Sequence, residues 1–340
     1  MVNEFLKYSS SFFNFWGLGF KYVETKILKE HTSSYCYNRP IDIVIETTNR
    51  CQMSCTWCAK HFRPVTDDMS LDIFKQIVED IGYVKNLYPC GVGEPLLHKD
   101  FDKCINIASD HSSYTNINTN GLLLNRDNIE RLNASGLSEL IISLDAINAD
   151  EYFMLGKGKD FDLFLNNLRL YSEYGKIPFR LHSVVATSNL ESVVKIPELV
   201  KSLGINTIDL NFVHSPPGLT HLLLNPQQIK ETVNVFSDKC NEYGIKTNVG
   251  VFLKSQPMSF CSTPFFTASV DSEGYINPCC NYPQLRLGNV LKDGFWKTWN
   301  NKPMRDFRDD VKRGNFDVWC STFCIKFRDS VNQTANTSNR

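Results

Sequence analysis

Cys51-Gln52-Met53-Ser54-Cys55-Thr56-Trp57-Cys58 places three cysteines at spacings of four and three residues, after the apolar run 41–46. Three thiolates on one tight loop can hold three irons of a four-iron cube and leave the fourth iron without a protein ligand. That open iron is a place for chemistry to begin. Zinc is the nearest rival, but structural zinc takes four protein ligands in paired knuckles, and no second pair lies close by in sequence. The plain alternative is three cysteines buried as small hydrophobes.

Outward from this loop, a short apolar run followed by a helix-period run repeats along the chain, the sequence form of consecutive βα units and a parallel sheet. Strands are expected at 41–46, 86–90, 114–119, 140–145, 179–185 and 207–213. Between them Leu71, Phe74, Ile77, Val78 and Ile81 recur at helical spacing, as do Phe161, Phe164, Leu165, Leu168 and Tyr171. The class is α/β, and six such units make a partial barrel.

Parallel strands covered on both faces read as nearly continuous apolar runs. These do not. Asn116, Asn118 and Asn120 alternate along the third, Ser143 and Asp145 along the fourth, Arg180 and His182 along the fifth, and Asp209 and Asn211 along the sixth. A period of two puts each set on one face. If that face is the barrel interior, hydrogen-bonding groups line a cavity near the carboxyl ends of the strands, where barrel active sites lie.

Thr48-Asn49-Arg50 followed by the CxxxCxxC loop resembles the radical S-adenosylmethionine (SAM) superfamily. Gly91-Val92-Gly93-Glu94-Pro95 resembles that family's GGEP-type motif, Asn118-Thr119-Asn120-Gly121 its element after the third strand, and Ile142-Ser143-Leu144-Asp145 its fourth-strand motif. The resemblance implies a TIM-like (β/α)6 partial barrel whose open iron chelates the amino and carboxylate groups of SAM. It also implies SAM contacts from Gly91, Gly93, Glu94, Pro95, Ser143 and Asp145, with Trp57 at the aromatic position of the cluster loop near the adenine. Asn118, Asn120, Arg180 and His182 join this candidate cofactor-binding set. Gln52 departs from the usual asparagine, at a position that is not a ligand.

A second cysteine set, Cys261, Cys279, Cys280, Cys320 and Cys324, follows the helical run 226–243 and a short strand expected at 246–250. With Gly274 five residues before Cys279, it resembles the SPASM/twitch extension of radical SAM proteins. The full SPASM pattern needs more cysteines than these five. The implied content is therefore one auxiliary [4Fe–4S] cluster on Cys261, Cys279, Cys320 and Cys324, with Cys280 as alternative to Cys279, and two [4Fe–4S] clusters in all. A zinc site on the same four thiolates is the alternative. A cluster with four cysteines is fully coordinated and would carry electrons instead of binding substrate.

The expected organisation is an aromatic-rich helical segment at 1–40, the barrel at 41–250, the auxiliary-cluster domain at 251–326 and a polar, disordered tail at 327–340. The first segment, with Phe12, Phe13, Phe15 and Trp16, either packs on the barrel or lies at an interface. Twelve cysteines whose spacings suggest clusters favour a reducing, cytoplasmic setting. A net charge of −1 argues against nucleic acid as the partner. No stretch approaches the roughly 18 apolar residues of a membrane span. Cys104 and Cys240 read as core, whereas Cys90, ending the second strand before the glycine motif, is a candidate hydrogen-atom donor. The resemblance then implies reductive cleavage of SAM by an electron donor such as flavodoxin or ferredoxin. The resulting 5′-deoxyadenosyl radical would abstract hydrogen from a small polar substrate, such as a sugar, nucleotide sugar or aminocyclitol, for a two-electron oxidation. A peptide-modifying maturase, an epimerase or decarboxylase, and a non-catalytic metal module are the alternatives.

Overall fold

Every residue of the first strand, β1 (Asp42–Ile45), is buried, as expected of an apolar run covered on both faces of a parallel sheet. The computed structural model describes residues 33–214, 219–250, 261–315 and 320. The aromatic residues before 33, the tail after 320 and Cys324 lie outside the described residues. Strands β2 (Val84–Tyr88), β3 (Ser112–Thr119), β4 (Glu139–Ser143), β5 (Phe179–Val185) and β6 (Ile208–Phe212) follow β1 in strict spatial sequence, all parallel. Helices α1 (Leu71–Ile81), α2 (Phe101–Asp110), α3 (Arg126–Asn133), α4 (Ala149–Met154) and α5 (Phe161–Tyr174) lie between them, and α6 (Leu190–Val193), α7 (Ile196–Ser202) and α8 (Pro226–Tyr243) complete the series. This is the expected α/β partial barrel.

Local chemistry sets these boundaries. The Ser70 hydroxyl accepts from Ile73 N at 3.2 Å to start α1, which buries Phe74, Ile77, Val78 and Ile81 and stops at Gly82 with φ of 73°. At α8, Asn225 and Gln228 cap each other reciprocally. The strand expected at 246–250 is reduced to a single bridge between Thr207 and Lys246. The reason is that the Asn248 side chain takes over, accepting from Leu210 N and donating to Leu210 O at 2.8 Å each.

Beyond residue 261 come α9 (Thr263–Phe266), β7 (Thr267–Val270), β8 (Ile276–Asn277), α10 (Val290–Asp293), α11 (Phe295–Trp299) and α12 (Lys302–Arg313). Strand β7 does not stand apart from the barrel. It pairs in parallel with β1, Asp42 beside Thr267 and Ile45 beside Val270, and β8 closes the sheet antiparallel. The eight-stranded order is β6-β5-β4-β3-β2-β1-β7-β8. Ala268, Val270, Phe295 and Trp299 share one buried cluster with Ile43, Ile45 and Phe74. Burial of that shared apolar area holds the carboxyl-terminal elements on the first βα units.

Candidate active site

Just beyond the carboxyl end of β1, the cysteine loop is held by backbone bonds to a distant segment. Ser54 N donates to Gly156 O at 2.8 Å and Thr56 N to Leu155 O at 3.1 Å. A Cβ on Gly156 would lie 2.2 Å from the Ser54 carbonyl, and its φ is +76°, so only glycine fits there. The loop itself turns through Cys58 N donating to Cys55 O at 3.0 Å, and Lys60 Nζ reaches Cys51 O at 3.1 Å and also Met53 O. Burial pushes the Cys58 thiol up to about 11, with Cys55 and Cys51 adding to the rise. Cys51, also raised by burial, accepts from Asn120 Nδ2 at 3.6 Å. Gln52 Nε2 in turn holds Asn120 Oδ1 at 3.2 Å.

The glycine motif packs directly on this loop. Glu94 N donates to Arg50 O at 2.7 Å, and a Cβ on Gly93 would meet the Thr48 carbonyl at 2.2 Å. On Gly91 it would meet Glu46 at 2.5 Å. Glu94 is 2 % exposed and starts the turn at Pro95–Leu97. Its carboxylate accepts from Thr119 Oγ1 and Asn120 N at 2.7 Å each and from Leu96 N at 3.2 Å. Burial still pushes it up to about 7, because these three donors do not replace water fully. It forms no ion pair among the described residues. A buried carboxylate in this state fits an ammonium group.

On the far side Asp145, 4 % exposed, accepts from Val184 N at 2.6 Å and pairs with Lys157 Nζ at 2.6 Å. Trp57, half-buried, packs beside Ala186 and Val213, just past the ends of β5 and β6, and beside Leu222 in the turn Thr220–Leu222. Between these flanks lies the strand face noted in the sequence. Along β5, Arg180, His182 and Val184 alternate with buried Leu181, Ser183 and Val185, and His182 and Val184 are half-buried. Tyr114, Asn118, Glu139, Ser143 and Asn211 are likewise half-buried, while Leu140, Ile142 and Leu181 on the opposite face pack with Phe164 and Leu168 of α5. Burial lowers His182 to about 4, so its imidazole is neutral near pH 7.

Arg180 sits two residues deeper than His182. It pairs with Asp209 Oδ2 at 3.0 Å and with Glu139, which also receives the Tyr114 hydroxyl. Together with Asp42, which accepts from Asn86 Nδ2 at 2.6 Å, these residues make a polar floor. Cys90 is 5 % exposed in the main core, and burial pushes its thiol up to about 11.

Sequence reasoning missed Lys157, although glycines on both sides of it mark a tight turn. It also missed the ion cluster beneath the glycine motif. Arg63 Nη2 donates to both Glu46 oxygens at 2.6 and 2.7 Å, and Arg63 Nη1 lies 3.1 Å from Asp271 Oδ2. Arg286 Nε completes the cluster, 2.8 Å from the same oxygen.

In the carboxyl-terminal part Cys261 packs with Phe265 and Val311, and Cys280 packs against the main core. Among the described residues no three His, Cys, Asp or Glu side chains converge on a single ion position. The fit to iron therefore rests on the donor sets and on the loop that carries them.

The radical SAM superfamily model matches residues 45–200, and the model of an iron–sulfur cluster-binding domain matches residues 261–335. The chain belongs to the radical SAM superfamily. Its carboxyl-terminal part is a SPASM-type domain, and SAM and iron–sulfur clusters are its cofactors. The AdoMet-dependent heme synthase of Methanosarcina barkeri is 24 % identical over 302 residues, covering 80 % of this chain and 86 % of the relative. The sporulation killing factor maturation protein SkfB of Bacillus subtilis is 23 % identical over 266 residues, covering 75 % and 63 %. Among solved structures, Streptococcus suis SuiB bound to SAM superposes with a TM-score of 0.65 at 16 % identity, over 83 % of this chain and 70 % of SuiB. The AdoMet-bound anSMEcpe does so at 0.64 and 17 %, over 84 % and 88 %. These structural likenesses concern the fold. Of this radical SAM protein's described residues, no helix is long and apolar enough to cross a membrane.

Proposed function

We propose that this radical SAM enzyme oxidises a small polyhydroxylated substrate, such as a sugar, nucleotide sugar or aminocyclitol, by two electrons. The observation that carries the reading is the row of half-buried hydrogen-bonding side chains, Asn118, Ser143, His182 and Asn211, on one face of four adjacent strands. A polyol offers hydroxyls to such groups. An apolar substrate would leave them unpaired at about 1–3 kcal/mol each.

When bound, SAM and its cluster would supply a radical that abstracts a hydrogen atom, and the auxiliary cluster would accept the substrate's second electron while the hydroxyl proton passes to solvent. The chain's own residues bind and orient. Cys51, Cys55 and Cys58 would hold the first cluster. Glu94 takes the SAM ammonium, Gly93 lets its backbone approach that of Thr48 and Arg50, Gly91 leaves room for the Glu46 side chain, and Ser143 and Asp145 stand on the ribose side. Neutral His182 is positioned to accept a hydrogen bond from a substrate hydroxyl without becoming charged. Cys261, Cys279, Cys320 and Cys324 would hold the auxiliary cluster. Its partner is a low-potential electron donor such as flavodoxin or ferredoxin, and its setting is the cytoplasm.

A second reading, modification of a precursor peptide, is favoured by the likeness to SkfB, a maturation protein by name. The relative matched over more of its length is named a heme synthase, which favours a non-peptide substrate. The test incubates reduced, reconstituted enzyme and SAM with aminocyclitols, nucleotide sugars and candidate peptides. Faster 5′-deoxyadenosine release together with a product two hydrogens lighter than an added polyol is expected. Stimulation by peptides alone would overturn the small-substrate reading.

A further inference from the structure

The Asp145–Lys157 pair is the most deeply buried ion pair beside the cysteine loop, with side chains 4 % and 2 % exposed. Burying two charges is costly, and an apolar pair often serves stability as well or better. Its position suggests a reason beyond folding. The strand-like contact of Ser54 and Thr56 with Gly156 and Leu155 lays residues 155–157 along the loop at Cys55. Lys157 N donates to Tyr152 O at 3.1 Å, and its ammonium lies 5.8 Å from the Tyr152 ring. The Tyr152 hydroxyl, buried, has no hydrogen-bond partner. Lys157 feels Cys55 as well as Asp145 among its neighbouring charges, and Tyr152 feels the same thiol. Asp145 is anchored on its other side to β5 through Val184 N, whereas Lys157 directly follows Gly156, whose carbonyl is bonded to the loop at Ser54 N, so the cation is the member of the pair carried by the segment along the loop.

We infer that Lys157 is a positioning residue that fixes one buried positive charge beside the Cys55 ligand, making the first cluster easier to reduce while orienting Asp145 toward SAM. The physical ground is that net charge and hydrogen bonding around the sulfurs set a cluster's potential. At low local dielectric, a fixed cation favours the more negative, reduced form. Arginine keeps the charge. Methionine keeps much of the volume and removes it.

The inference rests on the cluster assignment of the loop and is independent of the substrate. The test is a potentiometric titration of the reconstituted full chain with dithionite as reductant, followed by EPR of the reduced clusters. The first cluster is identified by its signal changing when SAM is added. With iron content at the parental level, Lys157→Met is expected to reduce at a more negative potential than the parent, and Lys157→Arg near the parental potential. Should Lys157→Met fail to fold because Asp145 is left unpaired, the Asp145→Asn/Lys157→Met double variant buries no charge. Because Asp145 stands on the SAM side, the first cluster of this variant is identified as the signal that the Cys51, Cys55 and Cys58 alanine variant lacks, and it is expected to shift in the same direction by less than the single variant. An iron-replete single or double variant that titrates at the parental potential would overturn the role of Lys157. A parent protein with no SAM-responsive signal would overturn the cluster assignment instead, and the inference with it.

Discussion

The backbone amide of Glu94 donates to the carbonyl of Arg50 at 2.7 Å, joining the acidic SAM-motif residue to the residue before the first cysteine. Gly93 makes that approach possible, since a Cβ there would fall 2.2 Å from Thr48 O and 2.8 Å from Arg50 O. Both obstacles are backbone and cannot step aside. Gly93→Ala is therefore expected to separate the two loops, lower stability by about 1–3 kcal/mol as overpacking does, and cut 5′-deoxyadenosine formation more than tenfold. A variant with parental melting temperature and turnover would show that the approach carries no function.

The loop cysteines give a prediction in iron. The parent should carry about eight irons, the content of two four-iron clusters. Replacing Cys51, Cys55 and Cys58 with alanine should remove about half and abolish SAM cleavage. Cleavage by the triple variant would unseat the assignment on which the active site is built.

Much of this was legible because strand periodicity and motif order are local. The expected strands 114–119 and 179–185 correspond to β3 and β5 within two residues. The alternation of Arg180 and His182 could be read as a face, but not its depth. That Arg180 is engaged by Glu139 and Asp209 depends on register between three strands, and no single strand contains that information. Lys157 was hidden for the same reason. It reaches Asp145 from the far side of α4, and an isolated lysine in a glycine turn reads as surface. The pairing of β7 with β1 spans over two hundred residues, and the Thr-Ala-Ser-Val of β7 was not expected to be a strand at all.

The buried floor gives the protein a pH dependence with a definite sign. Burial pushes Asp42 up to about 7, against the Asn86 hydrogen bond that lowers it. The folded state thus holds a proton that the unfolded chain releases near pH 4, so stability present at low pH is lost as pH rises from about 4 to about 7. Asp42→Asn keeps an acceptor for Asn86 and removes this contribution, worth up to about 4 kcal/mol by the size of the shift. The variant's melting temperature should therefore fall less than the parent's between pH 5.5 and pH 8. Some slope should remain, because burial also raises Asp209 and Glu94. Equal slopes would refute the assignment to Asp42.

Arg63 ties three segments together: Glu46 after β1, which also accepts from Val92 N at 3.0 Å, Arg63 itself after the cysteine loop, and Asp271 after β7. All three side chains are at least 94 % buried. Arg63→Met would leave Glu46 without a cation, a change that costs about 3–5 kcal/mol when one partner of a buried pair is removed. Glu46→Gln/Arg63→Met should recover part of that loss, since no charge is then stranded. Denaturant midpoints of the two variants decide it, and a double variant no more stable than the single would mean that packing, not charge, holds this junction.

The auxiliary site separates ligand from bystander at two adjacent cysteines, Cys279 and Cys280, which follow β8 directly. Cys280 packs against the main core, as a structural thiol does, whereas Cys279 occupies the position set by Gly274. If Cys279 is the ligand, Cys279→Ala should lower iron from about eight to about four per chain, and Cys280→Ala should leave it unchanged. The proposed oxidation adds a functional consequence. The Cys279→Ala protein should still release 5′-deoxyadenosine, because Glu94, Asp145 and the first three cysteines are untouched, yet form no oxidised product. Metal binding also stabilises the segment that holds it, so solubility and the SAM-responsive cluster signal must first match the parent. Given that match, full product formation without the second cluster would remove its role as electron acceptor and bring forward a thiol hydrogen donor. Cys90 is then the residue to replace next, since burial keeps it in the S–H form at neutral pH.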